Sequence, residues 1–172
     1  VVALSSDQLN DLSTDQIANL TTHQISMLET ADIAALDTSL IEALSSSQVA
    51  SLTTAQIRAL GTDQIAAIQT GADVFALTTT QVMAMTTTQV AAFTTDQISE
   101  LKTSVITNLS TAQLAALDTD RIAALTTAQL RAVTTDQIVA MSSDQVGALT
   151  SDQVASLSNK LLVAIQTQDL VA

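Results

Sequence analysis

Residues 53–60 read Thr-Thr-Ala-Gln-Ile-Arg-Ala-Leu, and this octad decides the fold because the rest of the chain repeats it. The next eight residues, 61–68, read Gly-Thr-Asp-Gln-Ile-Ala-Ala-Ile, and the preceding eight, 45–52, read Ser-Ser-Ser-Gln-Val-Ala-Ser-Leu. The pattern Thr-Thr-x-Gln-Ile-x-x-Leu fills the 172-residue chain with about twenty-one octads. Because a fixed short period is typical of stacked repeats, the sequence predicts one repeat array over residues 1–172.

Each octad carries a complete signal for the start of a helix. Thr53 and Gln56 have the Ser/Thr-x-x-Glu/Gln spacing of a capping box, in which each side chain bonds the backbone amide of the other residue. Leu52 before the box and Ile57 after it have the spacing of a hydrophobic staple. Positions six and seven are mostly Ala, the strongest helix former, and an acidic residue at position three suits the first turn. The Asp residues at position three are Asp7, Asp15, Asp63, Asp96, Asp120, Asp136, Asp144 and Asp152.

The eight-residue period is incompatible with one continuous helix. Eight residues in two turns is 4.0 residues per turn, against about 3.6 in an α-helix, so an apolar stripe would drift by about 80° per octad. We therefore expect an all-α solenoid with one helix per octad over positions two to seven, and a corner at position eight and the next position one. A β-solenoid is the alternative, since Thr, Val and Ile suit strands. The i, i+3 spacing of positions five and eight favours the helix.

Composition limits the function. The net charge of −12 argues against binding to nucleic acid, whose phosphates it would repel. No apolar run approaches the length of a membrane span, and the chain has no Cys. The aromatic residues are Phe75 and Phe93, so we expect a thin core of small aliphatic side chains.

The array enters at Val1 in mid-octad and stops after Ala172 without atypical end repeats. This pattern predicts a piece of a longer array, or a unit that stacks end to end.

Several octads depart from the pattern. One extra residue enters between Ile68 and Leu77, and Gly71 is the expected site of the insertion because Gly tolerates unusual backbone angles. The insertion is either tolerated at a corner or marks a bend or phase shift. Apolar residues replace Gln at Leu40, Val105 and Leu161, which predicts loss of the capping box. These replacements are either drift of the repeat or places where the solenoid meets another chain. Asp replaces Gln at Asp32, Asp73 and Asp169, in octads opened by Glu29, Gln69 and Gln166, and these suggest a second octad type with Asp as the capping acceptor.

The chain offers little for catalysis. Its single histidine, His23, stands at position three, where we expect a surface substitution for Asp, and one His cannot build a triad or a His-rich metal cluster. There is no Gly-rich phosphate loop. We therefore expect no catalytic, cofactor-binding or metal-binding residues and no enzyme activity. The Gln side chains could bond between stacked coils, but capping already occupies them.

The octads also resemble a known kind of sequence. Residues 86–93, Thr-Thr-Thr-Gln-Val-Ala-Ala-Phe, are similar to repeat tracts in very large secreted or surface bacterial proteins. Such proteins are often labelled adhesins or haem-utilisation or calcium-binding repeat proteins. The resemblance covers essentially the whole chain and implies an extracellular or cell-surface location. Because those labels usually belong to other domains of the long proteins, it transfers no haem or calcium site to this chain.

These observations predict a rigid extracellular spacer or stalk, or a filament subunit that associates with itself end to end or side by side. The alternative is a binding module. In that case stacked octads would align position three into an Asp ladder, with Asp136, Asp144 and Asp152, and positions one and two into Thr ladders that bind cations such as Ca²⁺, glycans or a partner protein. The number of octads per coil is open from sequence. Two, as a sixteen-residue hairpin, is the simplest arrangement.

Overall fold

In the computed structural model, which describes residues 5–169, the chain forms twenty short α-helices in tandem, so the predicted all-α solenoid is confirmed. No strand is present in the described residues, and the β-solenoid alternative is wrong. The helices are α1 Ser6–Asn10, α2 Thr14–Ala18, α3 Thr22–Ser26, α4 Thr30–Ala35, α5 Thr38–Glu42, α6 Ser46–Ser51, α7 Thr54–Ala59, α8 Thr62–Ala67, α9 Ala72–Ala76, α10 Thr79–Ala84, α11 Thr87–Ala91, α12 Thr95–Glu100, α13 Thr103–Asn108, α14 Thr111–Ala115, α15 Thr119–Ala124, α16 Thr127–Ala132, α17 Thr135–Val139, α18 Ser143–Gly147, α19 Ser151–Ser156 and α20 Asn159–Asp169.

The corners at the two ends of α7 have extended residues, as the octad predicts. At the end of α7, Leu60 has φ −62° and ψ 137°, and at its start Thr53 has φ −70° and ψ 159°. The capping box forms as expected: the Thr53 N–H donates to Gln56 Oε1 (2.8 Å), and the Gln56 N–H donates to Thr53 Oγ1 (3.2 Å). These bonds satisfy amides that the first helical turn would leave unpaired, so a helix can begin without Pro at each octad that has the box.

The helices stack so that each one packs on the third helix along the chain. Thus α4 packs on α1, α7 on α4, α10 on α7 and α13 on α10. The bonds that Gln side chains make between stacked coils join residues 28 to 32 positions apart. One coil therefore contains between three and four octads, and the two-octad hairpin is wrong. A hairpin of two helices would cover the apolar residues from one side only, whereas three or four helices enclose them.

The core runs along the centre of the coils. Every side chain at positions five and eight between Ile25 and Met141 is buried. Phe93 is the largest of the fully buried side chains. The staple residues Leu52 and Ile57 belong to this core as well, at 4% and 0% exposure. Burial of one such side chain is worth about 1.5–3 kcal/mol, so the core is the main stabilising term.

The insertion is absorbed at a corner. Gly71, which precedes α9, has φ 87° and ψ −130°, a backbone conformation that L side chains rarely adopt. Gln81 follows the insertion and donates to Val49 and Leu52 before it, which are 32 and 29 residues earlier in the chain. Gln113 and its acceptors all follow the insertion, and there the separations are 31 and 28 residues. The acceptors are positions five and eight in both cases. Gly71 therefore accommodates the extra residue, and the stacking phase does not shift.

The proposed second octad type is wrong. Glu29 makes no capping bond with its side chain, and Asp32 instead accepts a hydrogen bond from Ser6 Oγ in another coil (2.8 Å). α9 is preceded by Gly71 rather than by Gln69, and Gln166 lies inside α20, which runs on for 11 residues. Glu and Gln are too long to cap in the manner of Ser or Thr, so these octads lack a built-in start. The Asp169 side chain and the predicted open ends at Val1 and Ala172 lie outside what the structure describes.

Candidate functional site

The distinctive chemical feature of the structure is a stack of buried glutamine side chains at position four of the octads. Their exposure is between 1% and 5%. The buried Gln residues are Gln48, Gln56, Gln64, Gln81, Gln89, Gln97, Gln113, Gln129, Gln137, Gln145 and Gln153. A buried carboxamide must find partners for both its oxygen and its nitrogen, because an unpaired polar group in the interior costs free energy.

Each buried carboxamide performs two tasks with its two ends. Gln129 Oε1 accepts the Thr126 N–H at 2.7 Å, which is the capping bond. Gln129 Nε2 donates to the carbonyl oxygens of Ile98 (2.8 Å) and Leu101 (2.7 Å) in the coil below. These carbonyls lie at the carboxyl end of α12, where a helix leaves acceptors unpaired. The expectation that capping exhausts the Gln side chain is therefore wrong, since the oxygen caps while the nitrogen joins coils.

The first three octads show the capping task alone. Gln8, Gln16 and Gln24 form complete capping boxes, but within residues 5–169 none of them donates to a carbonyl of another coil. Gln8 and Gln16 are exposed and Gln24 is half-buried. Burial of the Gln side chain thus follows from stacking and not from the octad sequence.

The octads with apolar residues at position four lack the box, as predicted. Helices α5 and α13, which carry Leu40 and Val105, have no side-chain capping bond. Of the two interpretations, drift of the repeat fits the structure, because these side chains form no surface for another chain. Leu40, Val105 and Leu161 are 3%, 1% and 4% exposed, so these side chains are buried within the chain itself. An apolar side chain simply occupies the space of the carboxamide.

Arg121 replaces Gln in α15 and was not identified from the sequence as a stacking residue. Its Nε donates to the Phe93 carbonyl oxygen in the coil below, and its Nη1 forms an ion pair with Asp118. Arg has no acceptor for the Asp118 N–H, so only the other half of the box remains, in which the Asp118 carboxylate accepts the Arg121 N–H (2.9 Å). The sequence has Asp-x-x-Arg at residues 118–121, where most octads have Thr-x-x-Gln, and this departure indicates that Arg121 takes the place of the stacking Gln.

The predicted ladder of Asp136, Asp144 and Asp152 does not form. Asp136, Asp144 and Asp152 are exposed, but they stand on the successive helices α17, α18 and α19. Stacking instead joins every third helix, which also prevents Thr ladders built from successive octads. Among the side chains that the structure describes, no group of three or more His, Cys, Asp or Glu gathers closely enough to hold a metal ion. His23 is exposed, as predicted.

The insertion brings together polar contacts that differ from the regular stack. The Gly71 N–H donates to a carboxylate oxygen of Glu100, and Lys102 Nζ lies 4.7 Å from the centre of the Phe75 ring. Burial raises the pKa of Asp73 in the same helix, because the ionised carboxylate loses hydration there. These contacts tie α9 to the residues around α12, where the backbone departs from the octad.

Comparison with known proteins gives a family for the repeats. A family model described as the ALTTAQ repeat matches residues 25–62, 65–103, 99–127 and 122–159. The six residues 124–129 read Ala-Leu-Thr-Thr-Ala-Gln, which is the motif in that description. No curated protein and no solved structure matches the chain. Among the residues that the structure describes, no helix has the length and apolar character needed to span a bilayer.

Proposed function

This chain belongs to the ALTTAQ repeat family, and we propose that it is a rigid spacer outside the cell that fixes the distance between the two parts it connects. The chain is a structural repeat module in which successive octads do the same packing. The spacer role, the extracellular location and the absence of a catalytic role are the proposal.

The observation that carries the proposal is the repeated bonding of the Gln side chains between coils. From Gln48 to Gln153, the same carboxamide nitrogen donates to carbonyls at the end of a helix in the coil below. Because the pattern recurs in successive coils, stiffness along the axis does not depend on one contact. The bonds are buried, and competition from water is therefore weak.

The surface also favours a spacer. Position three is exposed and mostly Asp, Ala, Ser or Thr, which gives a hydrated and negatively charged surface. The resemblance to repeat tracts of large bacterial surface proteins favours a location outside the cell. A filament subunit is the second form of the same role, and it differs from the spacer in requiring association of several chains.

The experiment shortens the array by a defined number of coils. Deletion of residues 86–141 removes seven octads, which is about two coils, and joins Met85 to Ser142 in the original octad phase. Helices that pack side by side are about 8–10 Å apart, so the particle should shorten by about 16–20 Å. The maximum dimension from small-angle X-ray scattering measures the change, and far-UV circular dichroism checks that helicity per residue is unchanged.

A control deletion of residues 86–89 removes half an octad, breaks the phase and should lower the stability. A change in the maximum dimension that differs from about 8–10 Å per removed coil would contradict a modular spacer, and so would loss of folding after the seven-octad deletion. Light scattering at several protein concentrations separates the two forms. A constant mass favours the spacer, and a mass that grows with concentration favours the filament.

A further inference from the structure

Two surface grooves of the solenoid are copies of one another. The first lies between the α10–α11 corner and the α13–α14 corner and has a volume of about 340 Å³. The second lies between the α16–α17 corner and the α19–α20 corner, six octads further along, with about 260 Å³. Both are therefore formed by the same backbone geometry, and their differences lie in the side chains that the octads place there.

The side chains make the first groove neutral and the second basic. Met83 at position six of the first groove corresponds to Arg131 in the second. Lys160, which lines the second groove, corresponds in the repeat to Ala112. No Asp or Glu is among the described residues that line the second groove. Two of the five basic residues of a chain with net charge −12 thus meet in one place.

Both cations are available to a ligand. Arg131 Nε donates to the Ser156 carbonyl oxygen (3.3 Å), which holds the side chain across the groove and leaves its two terminal nitrogens as donors. Among the described side chains the ion pair is Arg121 with Asp118, so none of the described carboxylates neutralises Arg131 or Lys160. Both side chains are exposed.

Hydroxyl groups line the same groove. Thr134 Oγ1 and Ser158 Oγ accept backbone N–H groups of Gln137 (3.2 Å) and Leu161 (3.4 Å). Capping uses these oxygens as acceptors, and their hydroxyl protons are left to donate. A groove with two cations and hydroxyl donors, and with no lining carboxylate, is complementary to an anion.

We propose that this groove, lined by Arg131, Thr134, Thr135, Ser158 and Lys160, binds a phosphate or sulfate group. Free phosphate, free sulfate and a phosphate ester carry about two negative charges and interact with both cations at once, which compensates for the repulsion from the negative chain better than a single carboxylate could, whereas a sulfate ester carries one charge. Its several oxygens accept hydrogen bonds from Arg, Lys and hydroxyl donors together. The group is either a free ion or an ester on a larger molecule such as a glycan.

The test is a titration of ¹⁵N-labelled protein with inorganic phosphate at constant ionic strength, followed by amide shifts in two-dimensional NMR spectra. We expect saturable shifts at Thr135 and Lys160, and none from an equal addition of chloride. The Arg131→Gln/Lys160→Gln variant should lose the saturable binding. The Arg58→Gln/Lys102→Gln variant changes the net charge equally at residues that do not line the groove and should keep the binding. Circular dichroism of both variants verifies that they fold.

The neutral groove gives the reverse test. Met83→Arg/Ala112→Lys should create a second phosphate site there, with new shifts at Thr87. Shifts that persist in the Arg131→Gln/Lys160→Gln variant, that chloride reproduces, or that never saturate would overturn the proposal. A hexose phosphate and a sulfated hexose distinguish the source. If the esters bind with the same affinity as the free ion, the groove recognises the phosphate or sulfate group alone. If an ester binds about tenfold more tightly, the groove recognises an ester on a glycan.

Discussion

Replacement of Gln129 by Glu separates the two tasks of the buried carboxamide. A capping box accepts Glu as well as Gln at its fourth position, so the octad sequence alone predicts a tolerated change. The structure predicts the opposite. Gln129 is 2% exposed, and its Nε2 donates to the carbonyls of Ile98 and Leu101. A carboxylate has no donor and would face these two oxygens. No octad of the chain has Glu at position four.

The magnitude follows from the protonation of the new side chain. In the Gln129→Glu variant, a neutral carboxyl could accept the Thr126 N–H and donate to one of the two carbonyls. Keeping a carboxyl of unfolded pKa about 4.3 protonated at pH 7 costs about 3.7 kcal/mol, which is the upper bound of the ionisation part. The second lost donor adds about 1 kcal/mol. We therefore expect the variant to lose between about 1 and 5 kcal/mol at pH 7, with the upper value reached if the carboxyl stays fully protonated in the folded state.

The pH dependence has a definite sign. Burial beside carbonyl oxygens raises the folded-state pKa of this carboxyl above its unfolded value. The destabilisation is therefore small below about pH 4.3 and grows as the pH rises from there toward the folded pKa. At pH 4 only about 1 kcal/mol should remain, from the lost donor. Urea unfolding followed by far-UV circular dichroism, with the parent protein measured at each pH, gives both values.

Gln16→Glu is the matched control. Gln16 has the same box, with the Ser13 N–H donating to Oε1 at 2.8 Å, but it is exposed and makes no bond to another coil within the described chain. Its replacement should change the stability by less than about 0.5 kcal/mol. Equal effects of the two substitutions at pH 7, or a Gln129→Glu penalty that does not shrink at pH 4, would refute the role of the nitrogen in joining coils.

Two further predictions concern the insertion. Gly71→Ala should destabilise the protein by about 1–2 kcal/mol because of the positive φ, although no atom lies within 4 Å of the added Cβ. Gly147→Ala, in α18 and equally open, should be neutral or stabilising by up to about 1 kcal/mol, and thermal unfolding that ranks the two variants the other way would contradict this account of Gly71. Asp73→Asn should stabilise the protein at pH 7, where the raised pKa makes the ionised carboxylate unfavourable, and the gain should vanish as the pH falls toward 3.8, the ordinary value. A gain that is constant across this pH range would show that the charge of Asp73 is not its cause.

The sequence by itself determined the local structure. Thr53, Gln56, Leu52 and Ile57 lie within six residues of one another, so the box and the staple form within one octad and can be read from it. The same holds for the corner at Leu60, for Gly71 as the place of the extra residue, and for the exposed position of His23. These features depend on short-range hydrogen bonds and on backbone preferences, which neighbouring residues fix.

The tertiary structure alone decided how octads meet across coils. The separation of 28 to 32 residues between Gln donors and their acceptors depends on how sharply each corner turns in space, which the octad pattern does not encode. The burial of Leu40 and Val105, the reach of Arg121 to Phe93 and the basic groove at Arg131 and Lys160 all follow from that separation. The physical reason is that a glutamine that caps its own helix has the same local sequence whether or not a coil lies beneath it. Only stacking gives its nitrogen a partner.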